Sequence, residues 1–240
     1  DEVARQIQDS SVIPGLGTIL VGDDPASHSY VGAKIRDCEE VGITSIHESL
    51  PADIDQETLV AVIERFNSDP RVHAYIVQLP LPPQLDEEAA LLAIHPDKDA
   101  DGLHPVNLGR LVMGADGPVP CTPRGIQMML ETYDVPVEGQ HVCVIGRGLT
   151  IGRPMALLMA LKRTTANAAV TVVHTGVADL GSYTRQADVD SLAMQTSRHS
   201  IQQSWPVFCP NIQYRIRIRS AVIEFHKRLN RWRRTFTDFG

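Results

Sequence analysis

The sequence lacks the long apolar run that a membrane-spanning helix requires. Such a helix needs about 18 or more consecutive apolar residues, and no run of this length occurs in the 240 residues. We therefore expect no membrane span and no membrane partner. The first residues, Asp1-Glu2-Val3, provide neither an initiator methionine nor a basic and apolar leader. This predicts that the sequence begins inside a longer natural chain.

Cysteine is scarce and widely spaced. The four cysteines, Cys38, Cys121, Cys143 and Cys209, include no pair separated by two residues. Such spacing is typical of reduced thiols and is unlike a disulfide framework or a zinc site. The sequence therefore indicates an intracellular, cytoplasmic protein without a metal site.

Residues 189–240 are poor in glycine and in acidic side chains. They hold one of the 17 glycines, yet both tryptophans and four of the five phenylalanines. They contain nine Lys and Arg against three Asp and Glu, whereas residues 1–188 contain 13 against 26. Such a shift usually marks a separate module or a basic tail. A strand at 214–219 or a basic helix at 225–232 could touch nucleic acid, but we favour no nucleic-acid partner.

The remaining chain alternates short apolar runs with helical patterns. Predicted strands cover residues 18–21, 43–50, 72–79, 141–145 and 169–174. Predicted helices cover 27–41, 56–67, 86–94, 124–133 and 155–161, and the Pro- and Gly-rich stretch 96–123 is read as irregular. This alternation predicts an α/β protein with parallel sheets. We place a catalytic domain at 1–122 and a Rossmann-like domain at 123–188.

The stretch Ser27 to Lys34 follows an apolar strand and the turn Gly22-Asp23-Asp24-Pro25. A helix that begins there starts at the carboxyl end of the sheet, where open α/β sheets bind small molecules. Ser27 is the predicted helix cap. Tyr30 and Lys34, four residues apart, lie on one helix face and are a plausible proton-handling pair. The alternative is an ordinary exposed first turn.

Three glycines follow the strand at 141–145. Gly146, Gly148 and Gly152 are spaced G-x-G-x-x-x-G, one residue longer than the usual dinucleotide fingerprint. Between a strand and an apolar helix, such glycines allow a pyrophosphate to approach the backbone and the helix amino end. The alternative is a tight turn that packs the helix on the strand.

The end of the next predicted strand indicates the cofactor. NAD sites usually have an acidic residue about 20 residues after the glycine loop, which binds the ribose hydroxyls. Here the strand ends in His174-Thr175-Gly176, and the first acid is Asp179. Arg147, with His174 or Thr175 nearby, suits a ribose phosphate better, so the sequence favours NADP.

Five segments of the sequence are distinctive when taken together: VGDDPASHSYVGAK at 21–34, YIVQLPLP at 75–82, DKDADGLHPVNLGRL at 97–111, PCTPRG at 120–125 and VIGRGLTIGRPMALL at 144–158. In this order they resemble the bacterial form of the bifunctional methylenetetrahydrofolate dehydrogenase/cyclohydrolase family. The resemblance covers roughly residues 1–188. It implies oxidation of 5,10-methylenetetrahydrofolate to the methenyl form with NADP, followed by hydrolysis to 10-formyltetrahydrofolate. It also implies a homodimer formed through the cofactor domain.

The resemblance also implies roles for individual residues. Lys34 would handle protons at the bridging carbon, Tyr30 would pack on the folate, and Gln78 would tune the lysine. Asp101 would bind the donor-rich pterin edge. The residues implied to line the substrate site are Tyr30, Gln78, Leu79, Pro80 and Asp101. The residues implied to meet the cofactor are Gly146, Arg147, Gly148, Ile151, Gly152, His174 and Thr175.

The chemistry of these residue types agrees with the implied roles. A methenyl bridge is cationic, so a lysine that can become neutral suits it. A carboxylate can accept two hydrogen bonds from the amino-pyrimidinone edge of a pterin. Without the resemblance, Gln78 would be read as a strand-end residue and Asp101 as a turn former. Asp97 and Asp99 are read as turn or cap residues.

The resemblance stops near residue 189. The family would continue with a strand, a glycine and a PGGVGPMT-like segment, and no such segment occurs in this sequence. Because the composition changes at the same place, we hypothesise an altered reading frame or another replacement of the natural end. Two alternatives to the bifunctional enzyme stay open. One is a catalytically silent folate-binding or dimerising fragment, and the other is a shikimate-type NADP dehydrogenase.

Overall fold

The computed structural model describes residues 2–10 and 12–192, together with the backbone of strands at 212–218, 221–226 and 233–235. The chain forms two compact units, one through Gly109 and one from Arg110. We call them unit 1 and unit 2. This division falls before the boundary that the sequence places at residue 122.

Unit 1 is built on a three-stranded parallel sheet. Its helices and strands, in chain order, are α1 (Glu2–Ser10), β1 (Gly15–Val21), α2 (Pro25–Val41), β2 (Thr44–Leu50), α3 (Gln56–Ser68), β3 (Ala74–Val77) and α4 (Glu87–Ala93). The strand order is β2-β1-β3, with both pairings parallel. A short 3-10 turn at Pro96–Lys98 follows, and α5 (Pro105–Met113) crosses the division between the units. The predicted parallel sheet is confirmed.

The core of unit 1 lies between its sheet and α3. Ile19 of β1 and Leu59 and Ile63 of α3 belong to one cluster and are fully buried. The rings of Phe66 and Tyr75 meet edge to face, with centres 5.5 Å apart, which is a favoured aromatic geometry. The apolar positions of α3 recur three and four residues apart, so one face of the helix covers the sheet.

Unit 2 is built on a second sheet that is parallel on one side. Its remaining helices and strands are α6 (Cys121–Thr132), β4 (His141–Ile145), α7 (Gly152–Ala160), β5 (Ala169–Val173), α8 (Leu180–Thr184), β6 (Val189–Leu192), β7 (Ile212–Ile218), β8 (Ala221–His226) and β9 (Arg233–Thr235). The strand order is β5-β4-β6-β7-β8-β9. Strands β5, β4 and β6 are parallel, whereas β7, β8 and β9 are added antiparallel. The buried core joins Val142 and Val144 of β4 to Leu158 and Met159 of α7.

The stretch 96–123, expected to be irregular, contains a helix. The helix α5 begins at Pro105, and the carbonyl of His104 accepts hydrogen bonds from the amides of Asn107 and Leu108. Proline is favoured at a first helical position because its missing N–H would have no helical partner there. Its presence therefore signals a helix start, and the irregular prediction is wrong at residues 105–113.

Three expectations for the region after residue 188 concern residues whose backbone is at least partly described. Val189–Leu192, assigned from the sequence to the non-matching segment, forms β6 and pairs in parallel with β4. The strand expected at 214–219 agrees with β7, which covers Ile212–Ile218. The basic helix expected at 225–232 is wrong at its start, because residues 225 and 226 belong to β8. Residues 227–232 lie outside the described residues.

No helix in the described part of the chain is both long and apolar enough to cross a membrane.

Candidate functional site

The three strands of unit 1 end at one edge of the sheet. The amide of Gly22, just after β1, donates to the carbonyl of Leu50 at 2.9 Å. The amide of Gln78, just after β3, donates to the carbonyl of Ile19 at 2.8 Å. The loops that leave the strands therefore start side by side. This carboxyl edge is where ligands bind in open α/β sheets.

The helix α2 starts at this edge and is capped by Asp24. Its carboxylate accepts a hydrogen bond from the amide of Ser27 at 2.7 Å. The prediction that Ser27 caps the helix is wrong, because Ser27 lies within the first turn and is buried. Aspartate caps as well as serine does, and Pro25 fits the first helical position that this start gives it. Capping at Asp24 fixes the direction in which α2 leaves the sheet.

Tyr30 and Lys34 are in contact on α2. The ammonium nitrogen of Lys34 lies 4.4 Å from the centre of the Tyr30 ring, within the range of a cation–π interaction. The Tyr30 side chain is 44% exposed and Lys34 is half-buried. Their spacing of four residues places them on one helix face, as predicted. An exposed aromatic surface next to a lysine amine can receive a flat ligand, and the amine can exchange protons with that ligand.

The loop after β3 carries Gln78, Leu79 and Pro80 at the same edge. The side-chain amide of Gln78 donates to the carbonyl of Leu79 at 2.7 Å, and the Leu79–Pro80 peptide is cis. The carboxylate of Glu87 accepts a hydrogen bond from the amide of Leu81 at 2.9 Å. The loop is therefore held at both of its ends, by the sheet and by α4.

Asp101 reaches the same edge along a path next to β3. Residue Asp99 forms a parallel bridge with Tyr75, and the amide of Ala100 donates to the Tyr75 carbonyl at 3.1 Å. Because this segment runs in the direction of β3, Asp101 lies further towards the carboxyl end of the sheet. Its side chain is half-buried, and Gly102 follows with φ of +64°. Asp101 thus stands at the start of a tight turn at the sheet edge.

Sequence reasoning missed the buried pair formed by Asp99 and Asn107. Asp99, read as a turn residue, is 2% exposed, and one of its carboxylate oxygens accepts from the side chain of Asn107 at 2.9 Å. Asn107 is completely buried. The available signal was an asparagine in α5, whose other residues are apolar apart from Arg110, since buried polar groups need a partner.

The structure therefore brings six predicted site residues to one edge of unit 1. They are Tyr30, Lys34, Gln78, Leu79, Pro80 and Asp101. The contact between Tyr30 and Lys34 is direct, and the strand pairings place Gln78 and Asp101 at the ends of neighbouring chain segments. The predicted cofactor residues lie in unit 2.

The glycine loop of unit 2 joins β4 to α7, and its two ends, at Gly146 and Gly152, lie close together. Gly146 has φ of +122°, and its amide donates to the carbonyl of Val173 at 2.7 Å. A Cβ atom on Gly152 would overlap the Gly146 carbonyl and lie 2.8 Å from the amide nitrogen of Arg147. Only glycine fits at residue 152. This packing requirement supports the tight-turn interpretation, and it also holds the loop against the start of α7.

The loop leaves room for a phosphate group. A Cβ atom on Gly148 would meet no atom within 4 Å, and Arg147 and Thr150 are exposed beside it. The residue before α7 is Ile151, which provides no side-chain cap for the helix amides. The amide of Arg153 donates to the carbonyl of Gly148 at 3.1 Å, and Pro154 has no amide hydrogen. The open backbone at Gly148, next to the exposed Arg147, is therefore the part of the loop that fits a pyrophosphate.

The end of β5 lies next to this loop. Ile145 and Val173 are paired in the parallel ladder, so His174 and Thr175 follow at the edge where the glycine loop begins. The His174 ring accepts a hydrogen bond from the Gly176 amide at 3.0 Å, and Thr175 is exposed. The first acid, Asp179, caps α8 by accepting from the Ser182 amide at 3.1 Å. Its carboxylate is thus engaged as a helix cap.

Metal-binding side chains and surface grooves are two other features of the described residues that bear on ligand binding. Within them, no group of three or more His, Cys, Asp or Glu side chains could hold a metal ion. A groove of about 470 Å³ runs along α3 in unit 1 and contains no predicted site residue. The residues that line this groove are Asp55, Glu57, Thr58, Ala61, Val62 and Arg65.

Comparison with known proteins gives matches along both units. Residues 1–101 match the family model of the tetrahydrofolate dehydrogenase/cyclohydrolase catalytic domain. Residues 120–205 match the model of the NAD(P)-binding domain of the same family. The second match extends beyond residue 188, in agreement with the parallel position of β6.

Individual relatives give the same result. The chain is 56% identical over 192 residues to the bifunctional protein FolD of Syntrophotalea carbinolica, and the match covers 79% of this chain and 66% of that protein. The 5,10-methylenetetrahydrofolate dehydrogenase of the silkworm Bombyx mori is 33% identical, with a TM-score of 0.77 over 82% of this chain and 72% of that one. The Trypanosoma brucei dehydrogenase-cyclohydrolase, solved with NADP cofactor and inhibitor, is 36% identical, with a TM-score of 0.74 over 81% and 66%. The chain thus spans just under two thirds of the length of the Syntrophotalea protein.

Proposed function

The chain belongs to the tetrahydrofolate dehydrogenase/cyclohydrolase family, and on this basis we propose that it oxidises 5,10-methylenetetrahydrofolate with NADP and hydrolyses the product to 10-formyltetrahydrofolate. The observation that carries the proposal is the Tyr30–Lys34 contact at the carboxyl edge of unit 1. It supplies a stacking surface and a proton carrier in one place. Family membership sets aside the alternative of a shikimate-type dehydrogenase.

The proposed substrate site holds a reduced folate by its pterin and its one-carbon bridge. Asp101 accepts hydrogen bonds from the amino-pyrimidinone edge, and Leu79 and Pro80 line the site beside Gln78. Tyr30 stacks against the folate and keeps Lys34 beside the bridge. The half-buried positions of Lys34, Gln78 and Asp101 suit groups that contact both protein and ligand.

Hydrolysis then requires one proton transfer in each direction. A water oxygen bonds to the cationic bridge carbon while neutral Lys34 accepts a proton from that water. The bond from the carbon to the pterin nitrogen N5 breaks as the Lys34 ammonium returns a proton to N5. The formyl group remains on N10, and one proton is released overall. A lysine that is held by Tyr30 and can lose its proton serves both steps.

The proposed NADP site is the glycine loop of unit 2. The backbone of the glycine loop and the guanidinium of Arg147 hold the pyrophosphate, with Gly146, Gly148 and Gly152 allowing it to approach closely. Ile151 packs at the helix start, and His174 and Thr175 flank the ribose phosphate. When bound, NADP supplies the acceptor for the hydride that leaves the methylene bridge. The engagement of Asp179 as a helix cap supports NADP over NAD.

The dehydrogenase half of the proposal is tested with the full chain. We expect methylenetetrahydrofolate and NADP to give a methenyl absorbance that does not develop without NADP. Replacing NADP by NAD should slow the reaction. Absence of any turnover at high substrate and NADP concentrations would contradict the proposed activity.

The silent-fragment alternative makes a different prediction. Such a fragment binds tetrahydrofolate in calorimetry but gives no turnover in either reaction. The observation that favours this alternative is the composition change after residue 188, where basic and aromatic residues replace acids and glycines. Binding without turnover would therefore select the fragment, and turnover would eliminate it.

We also propose a homodimer and a cytoplasmic location. The described strand β5 lies at the edge of the unit 2 sheet, and Val172 on it is 41% exposed. An exposed apolar side chain on an edge strand is a suitable interface position. Light scattering of the full chain should give twice the chain mass, and Val172→Lys should shift it towards the monomer.

We further propose that the sequence beyond the family match results from an altered reading frame or a similar replacement. The support is the composition change after residue 188, where basic and aromatic residues replace acids and glycines. Sequencing the source DNA through this region should reveal a family-like PGGVGPMT segment in another frame. An unbroken frame shared with relatives would contradict the hypothesis.

A further inference from the structure

We propose that Asp99 and Asn107 form a positioning pair that holds the loop of Asp101 at the substrate edge. The pair does not act on the ligand itself. The inference rests on the proposed function for one point only, namely that Asp101 binds the pterin. The position of the loop within unit 1 does not depend on whether Asp101 binds the pterin.

The loop is anchored to the sheet at its start. Ala100 donates its amide to the Tyr75 carbonyl at 3.1 Å, next to the bridge between Tyr75 and Asp99. Tyr75 is fully buried in the core cluster, and Leu103 after the turn belongs to the same cluster. Asp101 therefore stands between two fixed points. With Gly102 at φ of +64° beside Asp101, however, these two anchors do not by themselves fix the turn.

A single oxygen of Asp99 closes the loop. Its Oδ2 atom accepts hydrogen bonds from the amide of His104 at 2.8 Å and from Nδ2 of Asn107 at 2.9 Å. The His104 amide follows the turn directly, so the Asp99 side chain joins the two ends of the four-residue segment that contains Asp101. Acceptor bonds of a carboxylate are stronger than those of a neutral group.

Asn107 connects this closure to the segment before it. Its Nδ2 atom donates to Asp99 and also to the carbonyl of Pro96 at 2.8 Å. Pro96 lies before the bridge to the sheet, and Asn107 itself lies in α5. One amide group thus joins the segment before Asp101 to the helix after it.

Because Asp99 and Asn107 are buried, the loss of either side chain is costly to the fold. Asp99 is 2% exposed and Asn107 fully buried, so the loss of either partner leaves a polar group unsatisfied in the core. An apolar pair could fill this space without that cost. Apolar contacts, however, are non-directional, whereas three hydrogen bonds fix the direction of the turn. The arrangement suits a loop whose carboxylate must meet a planar ligand edge.

The position of the loop is tested without folate by hydrogen exchange. We expect Asp99→Ala to speed exchange of the amides at 100–104 by about tenfold or more. Asp99→Asn keeps an acceptor oxygen and should change these amides much less. Asp97→Ala, at an exposed aspartate on the same segment, is the matched control. Unchanged exchange in folded Asp99→Ala would overturn the positioning role.

The link to the ligand is tested by tetrahydrofolate titration of the full chain. Asp99→Ala and Asn107→Leu should each raise the Kd for tetrahydrofolate about tenfold while leaving the Kd for NADP unchanged. Asp99→Asn should rescue most of the affinity. In an Asp101→Ala background, Asp99→Ala should have almost no further effect, because it acts through Asp101.

The outcomes separate the two proposals. If Asp99→Ala weakens tetrahydrofolate binding equally with and without Asp101, the positioning role is overturned and the pair is a general stabiliser. If the unmodified chain binds no tetrahydrofolate but loop exchange responds as expected, the proposed function fails and the positioning of Asp101 stands.

Discussion

The ammonium nitrogen of Lys34 lies 4.4 Å from the ring centre of Tyr30, one helical turn earlier on α2. The two side chains share the face of a helix that starts at the carboxyl edge of the unit 1 sheet. Because the contact uses the ring face, it depends on the aromatic ring and not on the phenol hydroxyl.

Tyr30→Phe should keep methenyl hydrolysis close to the unmodified rate, because phenylalanine preserves the ring under Lys34. Tyr30→Leu should slow hydrolysis about two- to fivefold, as expected for loss of a partly exposed cation–π contact of about 0.5–1 kcal/mol. Steady-state kinetics of both variants give the comparison. Equal losses in the two variants would show that the hydroxyl matters and the ring does not.

The strand–loop–helix order at this edge can be predicted from the sequence, but its caps and buried polar contacts cannot. The turn before α2 contains several polar residues that are able to cap a helix, and Asp24 caps it while Ser27 turns inward. Side-chain propensities for this position are nearly equal, so the outcome depends on where the chain leaves β1. The contact between Tyr30 and Lys34 was predictable because it depends only on helical spacing.

The larger differences between the sequence-based predictions and the structure involve partners that are distant in the sequence. Aspartate is common in turns, so the sequence alone indicates a turn at Asp99. Only the fold brings Asn107 of α5 within hydrogen-bond distance of it. The helix α5 was missed because Pro and Gly dominate its surroundings, although Pro105 marks its start. In unit 2, the glycine spacing predicted the loop, yet only the backbone contact between Gly146 and Gly152 shows which glycine is indispensable.

Gly152→Ala should disrupt the cofactor loop. Its Cβ atom would overlap the carbonyl of Gly146, which is backbone and cannot turn aside. We expect the Kd for NADP to rise at least about tenfold, with a loss of stability of about 1–3 kcal/mol from overpacking. Calorimetric titration and thermal unfolding measure the two effects.

Gly125→Ala on α6 is the matched control for this substitution. A Cβ atom at residue 125 meets nothing within 4 Å, and alanine favours helix by about 0.5–1 kcal/mol. The control should bind NADP normally and unfold at a slightly higher temperature. NADP binding by Gly152→Ala equal to that of the control would contradict the proposed site.

Thr175→Asp should move cofactor preference from NADP towards NAD. The new carboxylate would stand after β5, where an acid binds the ribose hydroxyls and repels a ribose phosphate. The ratio of kcat/KM for the two cofactors measures the change, which we expect to favour NAD by about tenfold or more. An unchanged ratio would place the ribose elsewhere.

Tyr75 should make unit 1 sensitive to alkaline pH. Burial raises the pKa of its phenol above the ordinary value, and the charge of Asp99 acts in the same direction, while a backbone hydrogen bond from His95 opposes them. The folded state therefore keeps a proton that the unfolded chain loses above about pH 10. The stability that this provides is fully present below that pH and is lost as pH rises further.

Tyr75→Phe removes this dependence and one hydrogen bond to Asn67, which is 2.7 Å long. At neutral pH we expect the free energy of unfolding of Tyr75→Phe to be lower by about 1 kcal/mol. Between about pH 8 and about pH 11, spanning the ordinary tyrosine pKa, the variant should lose less stability than the unmodified chain. Urea unfolding measures both, with exposed Tyr183→Phe as control. A pH dependence unchanged from the unmodified chain would contradict the account.

The most direct test of the central claim is hydrolysis of 5,10-methenyltetrahydrofolate by the full chain and by Lys34→Ala. Lys162→Ala, at an exposed lysine of unit 2, controls for the loss of a positive charge. If Lys34 carries protons to and from the bridge, its removal should slow enzymatic hydrolysis about 100-fold or more, and the control should match the unmodified chain. Hydrolysis by Lys34→Ala within about twofold of the control, less than the smallest effect expected of a proton carrier, would contradict the assignment of Lys34 and the catalytic site built around it.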